Sequence, residues 1–163
     1  MNENQINGNP RLTDGQASVR DLAAEILSEH KELKAIIHEL ERKLEKEGPA
    51  GARMNWFSNL HDELISFRTH LQRHFVLEEE SGFLDDMVNQ MPHAAEKVGM
   101  LRKEHGLILA AIDELICTSD SATARFGELC CRIHYAISIV KRHEADEHVL
   151  IQNAYGQDLG AAD

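Results

Sequence analysis

The chain has 163 residues, with 17 Lys and Arg against 28 Asp and Glu, a formal charge of −11 before its ten histidines are counted. That length suits one compact domain, and so few cations argue against nucleic acid or an anionic membrane as partner, because phosphates demand concentrated positive charge. Apolar residues at 42% supply a core, while 5% aromatics, ten Gly and three Pro are too few for a strand-and-turn protein, so the composition points to helices.

Residues 1–17 are polar, rich in Asn and Gly, and lack periodicity, which predicts a disordered tail. Met1 to Asn9 carry neither the charged start nor the apolar run of a secretory signal. No window approaches the roughly 18 apolar residues of a membrane span, so the expectation is a cytoplasmic protein. A first helix should start near Ser18, whose hydroxyl can cap it. Leu22, Ile26, His30, Leu33, Ile37, Leu40 and Leu44 then recur at amphipathic spacing until Gly48, Pro49 and Gly51 stop the helix.

The second helix runs from about Asn55 with Trp56, Leu60, Leu64, Phe67, Leu71, His74 and Glu78 in one stripe, and ends between Ser81 and Gln90. Met91 and Pro92 mark the next boundary. Helix three aligns Ala94, Val98, Leu101, His105, Ile108, Ile112 and Leu115 before the polar Thr118–Thr123 segment. Helix four aligns Phe126, Leu129, Ile133, Ala136, Val140, His143, Glu147 and Leu150, and residues 156–163 form a second polar tail. Four such helices with short connections predict an all-α, up-down-up-down antiparallel four-helix bundle over residues 18–155.

The informative polar residues are His30, His74, Glu78, His105, His143 and Glu147, which the periodicity assigns to the buried stripe. A lone histidine on an apolar face is more often a hydrogen-bonded core residue than a ligand. Here all four helices supply one, and His74–Glu78 and His143–Glu147 repeat His-x-x-x-Glu, which sets imidazole and carboxylate one turn apart on one face. A dry core would not tolerate six such groups without compensating charge. A metal centre provides it: imidazole and carboxylate suit iron, manganese and zinc, six protein ligands suffice for two ions, and two bridging carboxylates suit a pair. An interior His/Glu network is the alternative, but it gives no reason for the repeated motif.

Ligands must also share one level along the bundle. From His30 to Gly48 is 18 residues and from Asn55 to His74 is 19, so these two differ in height by about 2 Å. His105 to Thr118 is 13 residues but Ser121 to His143 is 22. That mismatch of about 13 Å falls to about 6 Å if helix four begins near Phe126, which predicts an irregular loop from Cys117 to Arg125.

These residues resemble the hemerythrin-like family of HHE cation-binding bundles. HLQRHFVLEEESGF at His70 to Phe83 looks like the family's second-helix motif H-F-x-x-E-E, and HEADE at His143 to Glu147 is similar to its fourth-helix motif. Oxygen carriers of the family have a second third-helix histidine where Leu101 stands, and an Asp at the spacing that His148 occupies. The four-His, two-Glu set instead resembles the diiron variant of proteins that repair iron centres after nitrosative or oxidative stress, and of iron and oxygen sensors. The resemblance implies two iron ions, oxo- or hydroxo-bridged, with Glu78 and Glu147 bridging and the four histidines capping.

His70 lies one turn before His74 and is a spare or supporting ligand, or a boundary residue. Glu79, Glu144 and Asp146 fall off the stripe and read as solvated charges or as hydrogen-bond acceptors behind the ligands. His38, His61, His93, His134 and His148 read as surface or boundary residues, and Trp56, Phe57 and Tyr135 as core or rim packing. Cys117, Cys130 and Cys131, odd in number and without C-x-x-C spacing, read as reduced, partly buried thiols.

No histidine has an acid three residues before it, which disfavours the carboxylate-rich Glu-x-x-His diiron class. H-E-x-x-H, a nucleophile elbow and a phosphate loop are also missing. The leading expectation is a diiron module that takes a small diatomic or peroxide ligand (dioxygen, nitric oxide or peroxide), or that senses or handles iron under stress. The alternatives are a metal-free helical scaffold and a diiron peroxidase or nitric-oxide-reducing enzyme.

Overall fold

The computed structural model describes residues 14–45, 53–119 and 126–155. The expected tails over 1–13 and 156–163, the turn at 48–51 and the stretch 120–125 of the expected loop lie outside these residues. The described chain is helical without a strand: α1 (Asp14–Leu44), α2 (Arg53–Glu80), α3 (Phe83–Gln90), a 3-10 turn (Pro92–Ala94), α4 (Ala95–Ser119) and α5 (Phe126–Tyr155).

The four long helices form the expected antiparallel bundle, with α1 and α4 each packed between α2 and α5. Charged pairs along the seams set the register. Lys43–Glu63 and Arg73–Glu29 tie α1 to α2, and Arg68–Asp113 (2.8 Å) with His61–Ser119 (3.0 Å) tie α2 to α4. Lys97–Asp146 (2.5 Å) joins α4 to α5, and Lys141–Glu41 (2.7 Å) closes the ring between α5 and α1.

The interior divides into three layers. One apolar cluster, with Leu33–Leu44 positions of α1, Leu60–Phe75 of α2, Ile108–Leu115 of α4 and Leu129–Val140 of α5, fills the half toward the α1–α2 connection. The other gathers Ile26, Leu27, Phe83, Leu84, Met87, Val98, Leu101 and Ile151. Between them lies a belt of His30, His74, Glu78, His105, His143, Glu144 and Glu147, all buried.

The second helix, whose end the sequence brackets between Ser81 and Gln90, becomes two helices. Gly82 adopts a left-handed φ of 77°, a conformation that costs glycine little, and turns the chain sharply. Ser81 Oγ accepts a hydrogen bond from the Phe83 amide at 3.3 Å. The short α3 then crosses the end of the bundle and touches all four long helices, with Phe83, Leu84 and Met87 fully buried. Tyr155 donates to Asp86 at 3.0 Å and pins it to α5.

Four expectations need correction. Helix α1 begins at Asp14, so 14–17 are not tail and Ser18 stands inside the helix rather than at its cap; no proline stands between Pro10 and Ser18 to forbid that extra turn. Cys117 to Ser119 remain helical instead of opening the irregular loop. There Thr118 and Ser119 donate their hydroxyls back to the carbonyls of Glu114 and Ile116, so the polar residues satisfy themselves within the last turn. Tyr135 is 69% exposed, not packed, whereas Trp56 and Phe57 do form a rim cluster with Phe126. Cys117 and Cys131 are exposed and only Cys130 is partly buried, because the first two fall on the outward side of α4 and α5.

Candidate metal centre

Each of the six residues singled out from the sequence projects into the belt. His30 comes from α1, His74 and Glu78 from α2, His105 from α4, and His143 and Glu147 from α5, all at most 3% exposed. The beginning of α5 at Phe126 is what brings His143 level with the others.

Their ligand-type atoms converge in two groups that share one carboxylate. His30, His74, Glu78 and Glu147 form one, and Glu78, His105 and His143 the other, with the atoms of each group within 4.8 Å of one another. Glu78 Oε1 lies 2.6 Å from His74 Nε2, and its Oε2 lies 3.2 Å from His105 Nε2. Glu147 Oε2 lies 3.2 Å from His30 Nε2. The rings pair edge to face, His30 with His74 and His105 with His143, each pair with centroids 4.9 Å apart.

Residues outside the six support the second pair. Glu79 Oε1 stands 2.6 Å from His105 Nδ1, and Glu104 Oε2 stands 3.0 Å from His143 Nδ1. Both carboxylates thus hold an imidazole by the nitrogen that faces away from the belt, which leaves Nε2 turned inward. Phe75 stacks on His105 at 4.1 Å, with planes 5° apart, and meets His143 edge-on. Glu79 meets both alternatives expected of it, since it is 45% exposed to solvent and also an acceptor behind His105; Glu104 directly precedes His105 but lies outside the sequence stripes.

Glu144 departs from expectation. It is 4% exposed rather than solvated, with Oε2 3.2 Å from His30 Nε2 and Oε1 3.5 Å from His74 Nε2. One signal for it lies in the sequence: Ile137, Glu144 and Ile151 form a second row at seven-residue spacing, one position behind Ala136, His143 and Leu150. Asp146 pairs with Lys97 near the surface. His70 joins neither group: its Nε2 lies 3.4 Å from Glu29 and its Nδ1 3.3 Å from Arg73, between α1 and α2. His38, His93 and His134 are exposed, and His61 and His148 half-buried, as expected of surface and boundary residues.

Electrostatics distinguish the groups. Burial by itself would depress the imidazolium of His30, but Glu147, Glu78 and Glu144 outweigh it and raise its pKa to about 9. Burial likewise opposes Glu144 and Glu78 at His74 and loses, leaving that pKa at about 10. His105 is raised against burial by Glu78 and Glu79. His143 is lowered, because its burial outweighs the pull of Glu104. Among the acids, Glu147 is pushed up to about 7 by burial and by the Glu78 charge. Glu78 falls well below the carboxylate range, since His105, His30 and His74 together overcome its burial.

The donor set fits a bound cation. Nε2 of His74, His105 and His143, both oxygens of Glu78 and of Glu144, and Oε1 of Glu147 are buried without a hydrogen-bond partner. Close approach without hydrogen-bond geometry leaves these lone pairs unused, a costly state for a buried polar atom unless a cation takes them.

Comparison with protein families matches the hemerythrin HHE cation binding domain over residues 21–152. Comparison with curated proteins and with solved structures gives no match. No helix among the described residues is long and apolar enough to cross a membrane.

Proposed function

The chain belongs to the hemerythrin HHE cation-binding domain family, and from that premise we propose that its belt holds two iron ions and that the protein binds or senses dioxygen, nitric oxide or peroxide, or handles iron under oxidative or nitrosative stress. The observation that carries this reading is the pair of buried histidine–carboxylate groups joined through Glu78. His30 and His74 would hold one ion and His105 and His143 the other, with Glu78 and Glu147 between them. Two adjacent groups of this composition suit a metal pair better than a single ion.

Bound iron would supply redox-active, Lewis-acidic positions for a small ligand. The chain's own residues set the conditions. Glu79 and Glu104 orient the His105 and His143 rings, so Nε2 is presented to the interior. Phe75, Leu71 and Val140 on one side and Leu101 and Phe83 on the other, all at most 2% exposed, keep bulk water out of the belt. A dry site of this kind admits small neutral molecules more readily than ions or polar metabolites. The formal charge of −11 disfavours nucleic acid and anionic membranes as partners, and we place the protein in the cytoplasm.

Expression in iron-supplemented medium tests the proposal. About two irons per chain, with a near-ultraviolet band that bleaches on reduction, are expected. A chelator should then lower thermal stability by several kcal/mol through linkage. Protein that stays folded, takes up no iron and ignores the chelator would leave a helical scaffold as the better account.

A further inference from the structure

Glu144 is the one belt residue that the six-ligand set leaves unused, and it is built into the interior as firmly as the others. It is 4% exposed, and neither carboxylate oxygen has a hydrogen-bond partner. Oε2 faces His30 Nε2 at 3.2 Å, at the same distance as Glu147 Oε2, and Oε1 faces His74 Nε2 at 3.5 Å. Its carboxylate also clusters with His143 and Glu147 within 4.8 Å. Glu79 and Glu104 are different: each reaches the outward nitrogen of a histidine and keeps some contact with solvent. Glu144 approaches the inward side, where ligand atoms gather.

We propose that Glu144 is a seventh ligand of the metal pair, on the ion held by His30 and His74, so that the centre has four histidines and three carboxylates. This rests on the reading of the belt as a two-metal site.

The two positions then become unequal. The His30–His74 ion has three donors of its own besides the shared carboxylates, and the His105–His143 ion only two. An incoming ligand would then find the less filled position at His105 and His143, beside Phe75. The third carboxylate also adds a negative charge, which favours the more highly charged oxidation state of the metal it touches.

The test uses Glu144→Gln, which keeps the shape and removes the charge, and Glu144→Asp, which keeps the charge but draws it back by one methylene. Anaerobic titration with Fe(II), followed by Co(II) whose visible spectrum reports coordination number, would be run on full-length protein beside thermal unfolding of the metal-free forms. Expected is full occupancy at the His105–His143 position in both variants, at least tenfold weaker binding at the other, and a changed Co(II) spectrum there. Metal-free Glu144→Gln should unfold earlier than the parent, because His30 and His74 lose a facing carboxylate, so the decision rests on metal binding: earlier unfolding with unchanged metal affinity and spectrum would mark a merely structural residue and overturn the proposal. If the parent binds two ions and both variants match it in affinity and spectrum, Glu144 is no ligand while the two-metal reading stands. If the parent takes up no metal, both readings fall together. Should Glu144→Gln fail to fold, Glu144→Asp alone decides by the same affinity and spectrum.

Discussion

The two halves of the belt use the same rings at the same spacing and differ in what surrounds them. On the α1–α2 side, His30 and His74 meet only inward carboxylates, from Glu78, Glu144 and Glu147. On the α4–α5 side, His105 and His143 are held from behind by Glu79 and Glu104 and covered by Phe75. Both imidazoliums of the first half are raised, to about 9 and about 10, whereas the second half is split, with His105 raised and His143 lowered by its burial. Matching ring geometry therefore does not make matching sites: one half concentrates negative charge for a cation, and the other fixes the direction of its nitrogens.

Substitutions can break this comparison, and the largest effect should come from the residue that both halves share. Glu78→Ala removes a donor from each group and should abolish binding of both ions, read as metal per chain falling from about two to near zero. Cutting one half should leave the other: His74→Ala and His105→Ala are each expected to retain about one ion, and Co(II) spectra of the two variants should differ because the surviving positions differ.

Smaller changes sharpen the contrast. Glu79→Ala and Glu104→Ala leave every inward donor in place but free the rings to turn, so affinity at the His105–His143 position should drop about 10- to 100-fold while the other position keeps its affinity. Equal losses at both positions would show that the outer carboxylates act through the fold as a whole. Phe75→Leu removes the ring stacked on His105 and should cost about 1 kcal/mol in denaturant unfolding of the metal-free protein. Its effect on metal affinity should be the weakest of the series.

Most of the bundle was legible because a helix repeats its facing positions every three or four residues. Leu33, Leu64, Leu71, Ile112 and Ile133 stand where periodicity assigns them. Leu22, Trp56 and Phe126 are only half-buried because they sit at bundle ends, where fewer neighbours cover them. Five of the inward residues that the stripes omit follow a rule: Leu27, Phe75, Ile137, Glu144 and Ile151 each come one position after a stripe residue. A helix in a bundle buries an arc wider than one row, so a single stripe finds Glu147 and misses Glu144. Long-range partners were less accessible. That Glu104 holds His143, and that His70 turns toward Glu29 instead of the belt, depends on how helices lie across one another, which no spacing along one helix encodes.

The short α3 adds a matter of timing. It seals one end of the bundle with Phe83, Leu84 and Met87, and as an eight-residue helix it is the briefest α-helix among the described residues. With three side chains wholly buried against the four long helices, it is fixed as firmly as the bundle that it closes. An ion passing through that end would therefore wait for the whole end layer to loosen, a layer bounded by Gly82 on one edge and by the Tyr155–Asp86 hydrogen bond on the other.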